Sequence, residues 1–216
     1  MIKRLLVIFI CAAVLLSACS PRLVGEAKAK EAGLAMINQA YGVDLTDAVV
    51  AVEYHQGGGV TYEDGVAIHY GTEEPMRFYE IRVNPGEGGN ADYYAVVNAV
   101  TGVAYRADKD ESLLSLTQEQ HAQAEAIGKR EDLPIEDFED DEANALQTGE
   151  DWVRAHFEPD IPVLRTVPNS TMTDGVEFPL FFVDGSVIFI DGTIYNVEVC
   201  WPAMEVTSVY LCNQEY

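Results

Sequence analysis

The chain has 216 residues, with 36 acidic against 13 basic side chains and a formal net charge of −23. That excess of carboxylates repels phosphate, which argues against nucleic acid as a partner and against electrostatic docking on anionic headgroups. The length suffices for one large or two small domains.

Residues 1–18 have the layout of a secretory signal: Lys3 and Arg4, twelve apolar residues from Leu5 to Leu16, then Ser17 and Ala18. The apolar run is shorter than the roughly 20 residues that span a bilayer. Leu16-Ser17-Ala18-Cys19 reads as a bacterial lipobox, in which the Cys19 thiolate takes a diacylglyceryl group before cleavage exposes its amine. The alternatives are an ordinary signal that contains Cys19, or an uncleaved anchor. On the lipobox reading the protein sits in a bacterial cell envelope, outside the cytoplasm, held to a membrane by lipid on Cys19. Doubly acylated chains provide the two anchoring signals that one chain lacks. Residues 19–24 are then a short tether.

From Gly25 to Tyr41 the pattern predicts a helix, with Leu34, Ile37 and Tyr41 on one face and Gly42 to end it. Extended segments follow at Ala48–His55, Val60–Tyr70, Met76–Val83, Asp92–Asn98 and Val103–Ala107, with a turn at Gly57–Gly59. Alternation in Phe78–Val83 puts Tyr79, Ile81 and Val83 on one face and Phe78, Glu80 and Arg82 on the other, the habit of an antiparallel sheet. Residues 25–116 form a first helix-plus-sheet module on this reading. Residues 117–140 hold a short polar helix, Thr117–Lys129, and an acidic linker; the run Glu131–Glu142 carries eight acids without the spacing of an EF-hand.

The plan then recurs over 141–216. A helix over Asp141–Phe157 carries Leu146, Val153 and Phe157 on one face, with Trp152 beside them. Strands follow at Val163–Val167, Phe178–Val183, Ser186–Ile190, Thr193–Trp201 and Val206–Cys212, with Asp184-Gly185 and Asp191-Gly192 as tight hairpin turns. Met36–Tyr41 overlays Trp152–Phe157 at an offset of 116, and Tyr93-x-Ala95-x-Val97 overlays Tyr195-x-Val197-x-Val199 at 102. The difference falls where the first half has an added hairpin or loop. The expected fold class is α+β: two degenerate repeats, each a helix packed on an antiparallel meander. A turn near Pro202–Glu205 would set Cys200 opposite roughly Thr207 and Cys212 opposite roughly Tyr195, too far apart for a disulfide, so two buried thiols are expected. A shifted register would reverse that.

Tyr93-Tyr94-Ala95-Val96-Val97-Asn98-Ala99-Val100-Thr101-Gly102-Val103 resembles the most recognisable segment of PepSY domains, small helix-plus-sheet modules of peptidase propeptides and bacterial envelope proteins. Tyr93, Val97, Ala99, Thr101 and Gly102 stand at matching positions, while Asn98 replaces the usual aspartate and Ala95 a larger aliphatic. In the second half Cys200-Trp201-Pro202-Ala203 stands in place of the Thr-Gly turn. The resemblance implies a PepSY-like, broadly cystatin-like plan and non-catalytic binding or restraint of peptidases, with no active-site residues to carry over.

The chain has no His-Glu-x-x-His, no Gly-x-Ser-x-Gly and no Gly-Lys-Ser/Thr. His55, His69, His121 and His156 show no metal-ligand spacing, so neither a metal nor a cofactor is expected; a sheet-surface zinc site would need His55 and His69 to face each other across a Gly57–Gly59 hairpin. The expected activity is therefore that of a tethered, non-enzymatic module that binds a protein or peptide in the envelope. Tyr79, Tyr94 and Trp201 are its candidate exposed anchors. The alternative is a small-ligand or cation receptor using the acids between the modules, and a third reading is a hydrolase assembled only in three dimensions.

Overall fold

The computed structural model describes residues 22–56, 59–63, 66–70, 77–86, 90–128, 138–173 and 180–212. The segment read as a signal, Cys19, and the acids from Glu131 to Asp137 lie outside the described residues.

Helix α1 spans Glu26–Tyr41 and ends on Gly42, whose left-handed φ of 64° lets its N–H reach the Asn38 carbonyl at 2.8 Å. Its innermost stripe is Ala29, Gly33 and Ile37, with Tyr41 half-buried at the end; Leu34 lies beside that stripe rather than on it. The small residues matter because they let the helix axis sit close to the sheet. A Cβ on Gly33 would stand 2.5 Å from Ile81 Cγ1 and 3.1 Å from Ile81 Cβ. Helix α2, Gln118–Gly128, opens with Thr117 and Gln120 exchanging side-chain-to-backbone hydrogen bonds, a capping box. Helix α3, Glu139–His156, repeats the stripe of α1 as Ala145, Gly149 and Val153, followed by Phe157. A Cβ on Gly149 would meet Val197 Cγ1 at 2.8 Å.

The strands are β1 Val50–Gln56, β2 Gly59–Glu63, β3 Val66–Tyr70, β4 Arg77–Val83, β5 Tyr93–Asn98, β6 Ala104–Lys109, β7 Val163–Thr173, β8 Phe181–Phe189, β9 Ile194–Trp201 and β10 Glu205–Leu211. Eight of them form one antiparallel sheet in the order β1-β4-β5-β6-β10-β9-β8-β7, and β2-β3 pair separately as a hairpin inserted between β1 and β4. The fold is thus α+β. Helix α1 covers β4–β6, α3 covers β7–β9, and both lie on the same face of the sheet.

The two four-stranded meanders meet only at β6 and β10, over the pairs Ser208↔Asp108, Val209↔Ala107 and Tyr210↔Arg106. Above that short seam the C-terminal ends of α1 and α3 converge. Tyr41 and Trp152 rings stand 6.1 Å apart, and Gln39 Nε2 donates to the His156 carbonyl at 2.7 Å. The Tyr41 hydroxyl reaches two carbonyls, Ala107 on β6 and Thr207 on β10, each at 3.0 Å.

Three local expectations need correction. Asp184-Gly185 is not a turn but the middle of β8, because Gly185 leaves room for Leu146 of α3: a Cβ there would run into Leu146 Cδ2. Asp191-Gly192 does make the β8–β9 turn, with Asp191 Oδ1 accepting the Thr193 N–H at 2.9 Å. His55 and His69 do not face each other, since β1 pairs with β4 and places His55 opposite Phe78, whereas His69 pairs with Val60. Finally, a bulge between Val206 and Ser208 shifts the β9–β10 register, so Cys200 faces Glu205. Cys200 and Cys212 lie at opposite ends of the hairpin and both remain thiols, but only Cys200 is buried; Cys212 is half-buried, against the expectation of two buried thiols.

Candidate functional site

Helices α1 and α3 cover one face of the sheet, so the strand alternation delivers every second side chain to the other. On β4 the helix side takes Tyr79, Ile81 and Val83, and the open side takes Phe78, Glu80 and Arg82. Open-face positions on the central strands mix apolar groups, such as Val96 and Tyr210, with polar ones that are joined to one another. Ser208 Oγ donates to Asp108 Oδ1 at 2.6 Å across the seam, and Arg106 Nε donates to the same carboxylate at 3.0 Å. The Arg106 guanidinium lies 5.8 Å from the centre of the Tyr94 ring, within cation–π range. On the second meander, Thr207 Oγ1 donates to Glu198 Oε1 at 2.7 Å and Ser186 Oγ to Asn196 Oδ1 at 2.7 Å.

Of these groups, Tyr94, Arg106, Asp108, Glu198, Thr207 and Ser208 floor a basin of about 520 Å³, open to solvent, that Arg82 and Phe182 also line. The loops Asn90–Ala91 and Asp110–Glu111 form its rim. Burial pushes the Tyr94 hydroxyl well above its usual range, and the Glu80 carboxylate raises it further through charge and a hydrogen bond, so Tyr94 is a phenol donor. Burial also raises the Glu198 carboxyl, against the Thr207 hydrogen bond, with Asp108 and Asp184 adding repulsion. The basin presents a cation, a phenol and carboxylates already positioned to hold a polar or charged group.

The raised Glu198 value has a sign that can be tested. A carboxyl whose pKa is higher folded than unfolded favours the protonated form in the folded state, so its contribution to stability is lost as pH rises through the interval between the two values. Glu198→Gln is therefore expected to raise the melting temperature by a few degrees at pH 7, with the gap closing as pH falls below about 4.3, the ordinary glutamate value. Thermal denaturation of both proteins between pH 4 and 8 checks this; a gap that widens in acid contradicts it.

Of the three aromatic anchors expected from sequence, only Tyr94 lines the open face. Tyr79 is a core residue, 4 % exposed, with its ring 5.3 Å from that of Tyr54 on the helix side. Trp201 is 5 % exposed and packs edge-on against Phe138 at 5.6 Å and Phe181 at 5.6 Å. Both are corrected for one reason: strand parity sends them under the helices, and aromatic identity alone says nothing about face. Among the linker acids that are described, Glu139, Asp140, Asp141 and Glu142 occupy the first turn of α3, where negative charge complements the helix dipole. Sequence reasoning missed Arg106, Asp108 and Glu198. Their polar alternation with Ala107, Val197 and Val199 was the available signal.

Among the described residues no helix is long and apolar enough to cross a membrane. No protein-family model, curated protein or solved structure matches this chain, and the reading of the open face rests on its own geometry.

Proposed function

We propose that this is a lipid-anchored, non-catalytic binding protein of a bacterial cell envelope, tethered through Cys19, which uses the face of its sheet opposite α1 and α3 to hold a protein or peptide partner. The observation that carries the proposal is the contrast between the faces: one sealed by two helices, the other a polar network around a basin with its own cation, phenol and carboxylates. A face with that chemistry offers hydrogen-bonding and charged groups that are already positioned, which lowers the ordering cost of binding. Restraint of an envelope peptidase is the specific activity proposed.

The finer architecture belongs to the same proposal. The stripe Ala29-Gly33-Ile37-Tyr41 matches Ala145-Gly149-Val153-Phe157 at the offset of 116 that aligns the helix ends, and each helix is followed by four strands of the large sheet. That supports two degenerate PepSY-like modules joined edge to edge. In the first, Asn98 Oδ1 accepts the N–H groups of Val100 and Thr101 at 2.9 Å each, forming the turn as the aspartate of the PepSY pattern would.

A photo-crosslinking residue at position 94, compared with one at the exposed helix position Ala35, tests the face directly in envelope extracts. Adducts are expected from position 94, lost on adding Arg106→Glu, and none from position 35. The trapped partner is then assayed for peptidase activity with and without the protein. Adducts from position 35 alone, or from neither position, would sink the proposed binding face.

A further inference from the structure

Toward the β1 edge of the sheet, beside the basin, three potential metal ligands converge. Glu53 and His55 point from β1 to the open side, and Glu80 stands directly opposite Glu53 on β4. Like charges directly opposite on neighbouring antiparallel strands destabilise the pair unless a cation lies between them. Arg82 supplies one, at 2.6 Å from Glu80 Oε2 and 3.7 Å from Glu53 Oε2. His55 Nε2 stands slightly farther off, 3.4 Å from Glu80 Oε2 and 3.9 Å from Glu53 Oε2. The ring is partly exposed, but this nitrogen is shielded from solvent and makes no hydrogen bond. A shielded ring nitrogen without a hydrogen bond is costly, and a metal ion would take up its lone pair.

The spacing identifies that ligand. Nitrogen and carboxylate donors bind Zn²⁺ at about 2.0–2.2 Å, so in a tetrahedron neighbouring donors stand roughly 3.3–3.5 Å apart. One donor from each of the three residues lies within 4.8 Å of the other two. Phe78 stacks on the imidazole at 5.1 Å and 17°, fixing the ring plane from beside the cluster. An imidazole with two carboxylates suits first-row divalent transition metals; Mg²⁺ and Ca²⁺ prefer oxygen donors throughout.

We infer that Glu53, His55 and Glu80 form a binding site for a divalent transition-metal ion, with Zn²⁺ as the probe, in which the metal takes the place of the Arg82 guanidinium between the carboxylates. Three protein ligands leave at least one coordination position toward solvent. The site adjoins the basin through Arg82, which lines it, and Glu80, which meets Tyr94, but zinc binding here is read out independently of any partner.

Titration calorimetry of the whole protein with ZnCl₂ tests the assignment, with MgCl₂ and CaCl₂ alongside. One Zn²⁺ is expected at this cluster and no heat from the other two ions. Glu80→Gln and His55→Ala should each weaken binding at least about tenfold, in keeping with what losing even an outer-shell partner does to metal affinity. Arg82→Gln should tighten it by removing the competing cation. Melting curves without metal establish that the variants fold, and Glu53→Gln replaces any that does not. A zinc-dependent shift of the His55 imidazole nitrogen resonance identifies the ligand independently. Absence of zinc heat, unchanged affinity in His55→Ala and Glu80→Gln, or weaker binding in Arg82→Gln overturns the inference.

Discussion

Gly33→Val is expected to lower the stability of the protein by about 3 kcal/mol, the upper part of the range for overpacking a well-filled core. The cause is the lack of room for even one carbon. Ile81 Cγ1 and Cβ lie 2.5 and 3.1 Å from where the new Cβ would sit, and Ile81 itself is fully buried. Its branch point is fixed to the strand backbone, so it cannot swing aside as the end of a leucine would. Gly33→Ala poses a finer question: alanine gains about 1 kcal/mol of helix propensity over glycine, but the same collision outweighs it. Chemical denaturation of Gly33→Val, Gly33→Ala and the exposed control Ala35→Val measures the three. A Gly33→Ala protein more stable than the original would show that α1 can rise off the sheet at little cost. Gly33→Ala combined with Ile81→Ala should lose less stability than the two single variants summed, because the truncation removes the atoms the new Cβ meets.

Tyr41→Ala carries the second large effect, about 3–5 kcal/mol by analogy with other large aromatic truncations. Its ring fills the junction where the two helices converge, 5.6 Å from Tyr93 and 6.1 Å from Trp152. Its hydroxyl spans the two meanders by donating toward Ala107 on β6 and Thr207 on β10. Burial above all, with the Asp108 and Glu198 charges behind it, holds the phenol far above its usual pKa, so the donor is retained at any ordinary pH. Tyr41→Phe separates the two contributions: it keeps the ring and should cost about 1–3 kcal/mol, the penalty for leaving buried polar groups without a partner. Because β6 and β10 pair over only three residues, the hydroxyl is a large share of what fastens them there. A salt bridge from Lys109 to Glu205 adds to the same seam. Equal stability of Tyr41→Phe and the original protein would show the seam to be held by packing alone.

How much of the fold is legible in the chain depends on the type of signal. Period-two alternation suffices to put Tyr79, Ile81 and Val83 on one face of β4, the face that α1 covers, and Gly42 marks the end of that helix. Apolar spacing on the helices is less reliable, because the contact stripe is built from Ala29, Gly33, Ala145 and Gly149, residues chosen for what they lack. The same blindness makes Asp184-Gly185 look like a turn. A glycine that makes room for Leu146 and one that reverses the chain are the same letter. The candidate site is the least legible part. Tyr94, Arg106 and Glu198 come together only through the strand order, the β6–β10 seam and two register shifts, one at Val96/Val97 and one at Val206/Ser208. None of these is a local property of the chain. The metal-ligand cluster is hidden for the same reason, since Glu53 and Glu80 become neighbours only when the β2–β3 hairpin is looped out.

The N-terminal segment meets the sheet at one particular corner. Val24 donates its N–H to the Ala99 carbonyl at 2.9 Å, at the turn between β5 and β6, while the basin opens near Tyr94 and Lys109 at the other end of those strands. At about 3.4 Å per residue, the length of β5 separates the two by roughly 20 Å. If Cys19 carries the proposed lipid, the leash joins the described chain at the foot of these strands and the basin rides at their head. A partner anchored in the same bilayer would have to project about one domain's height above the lipid to be held there.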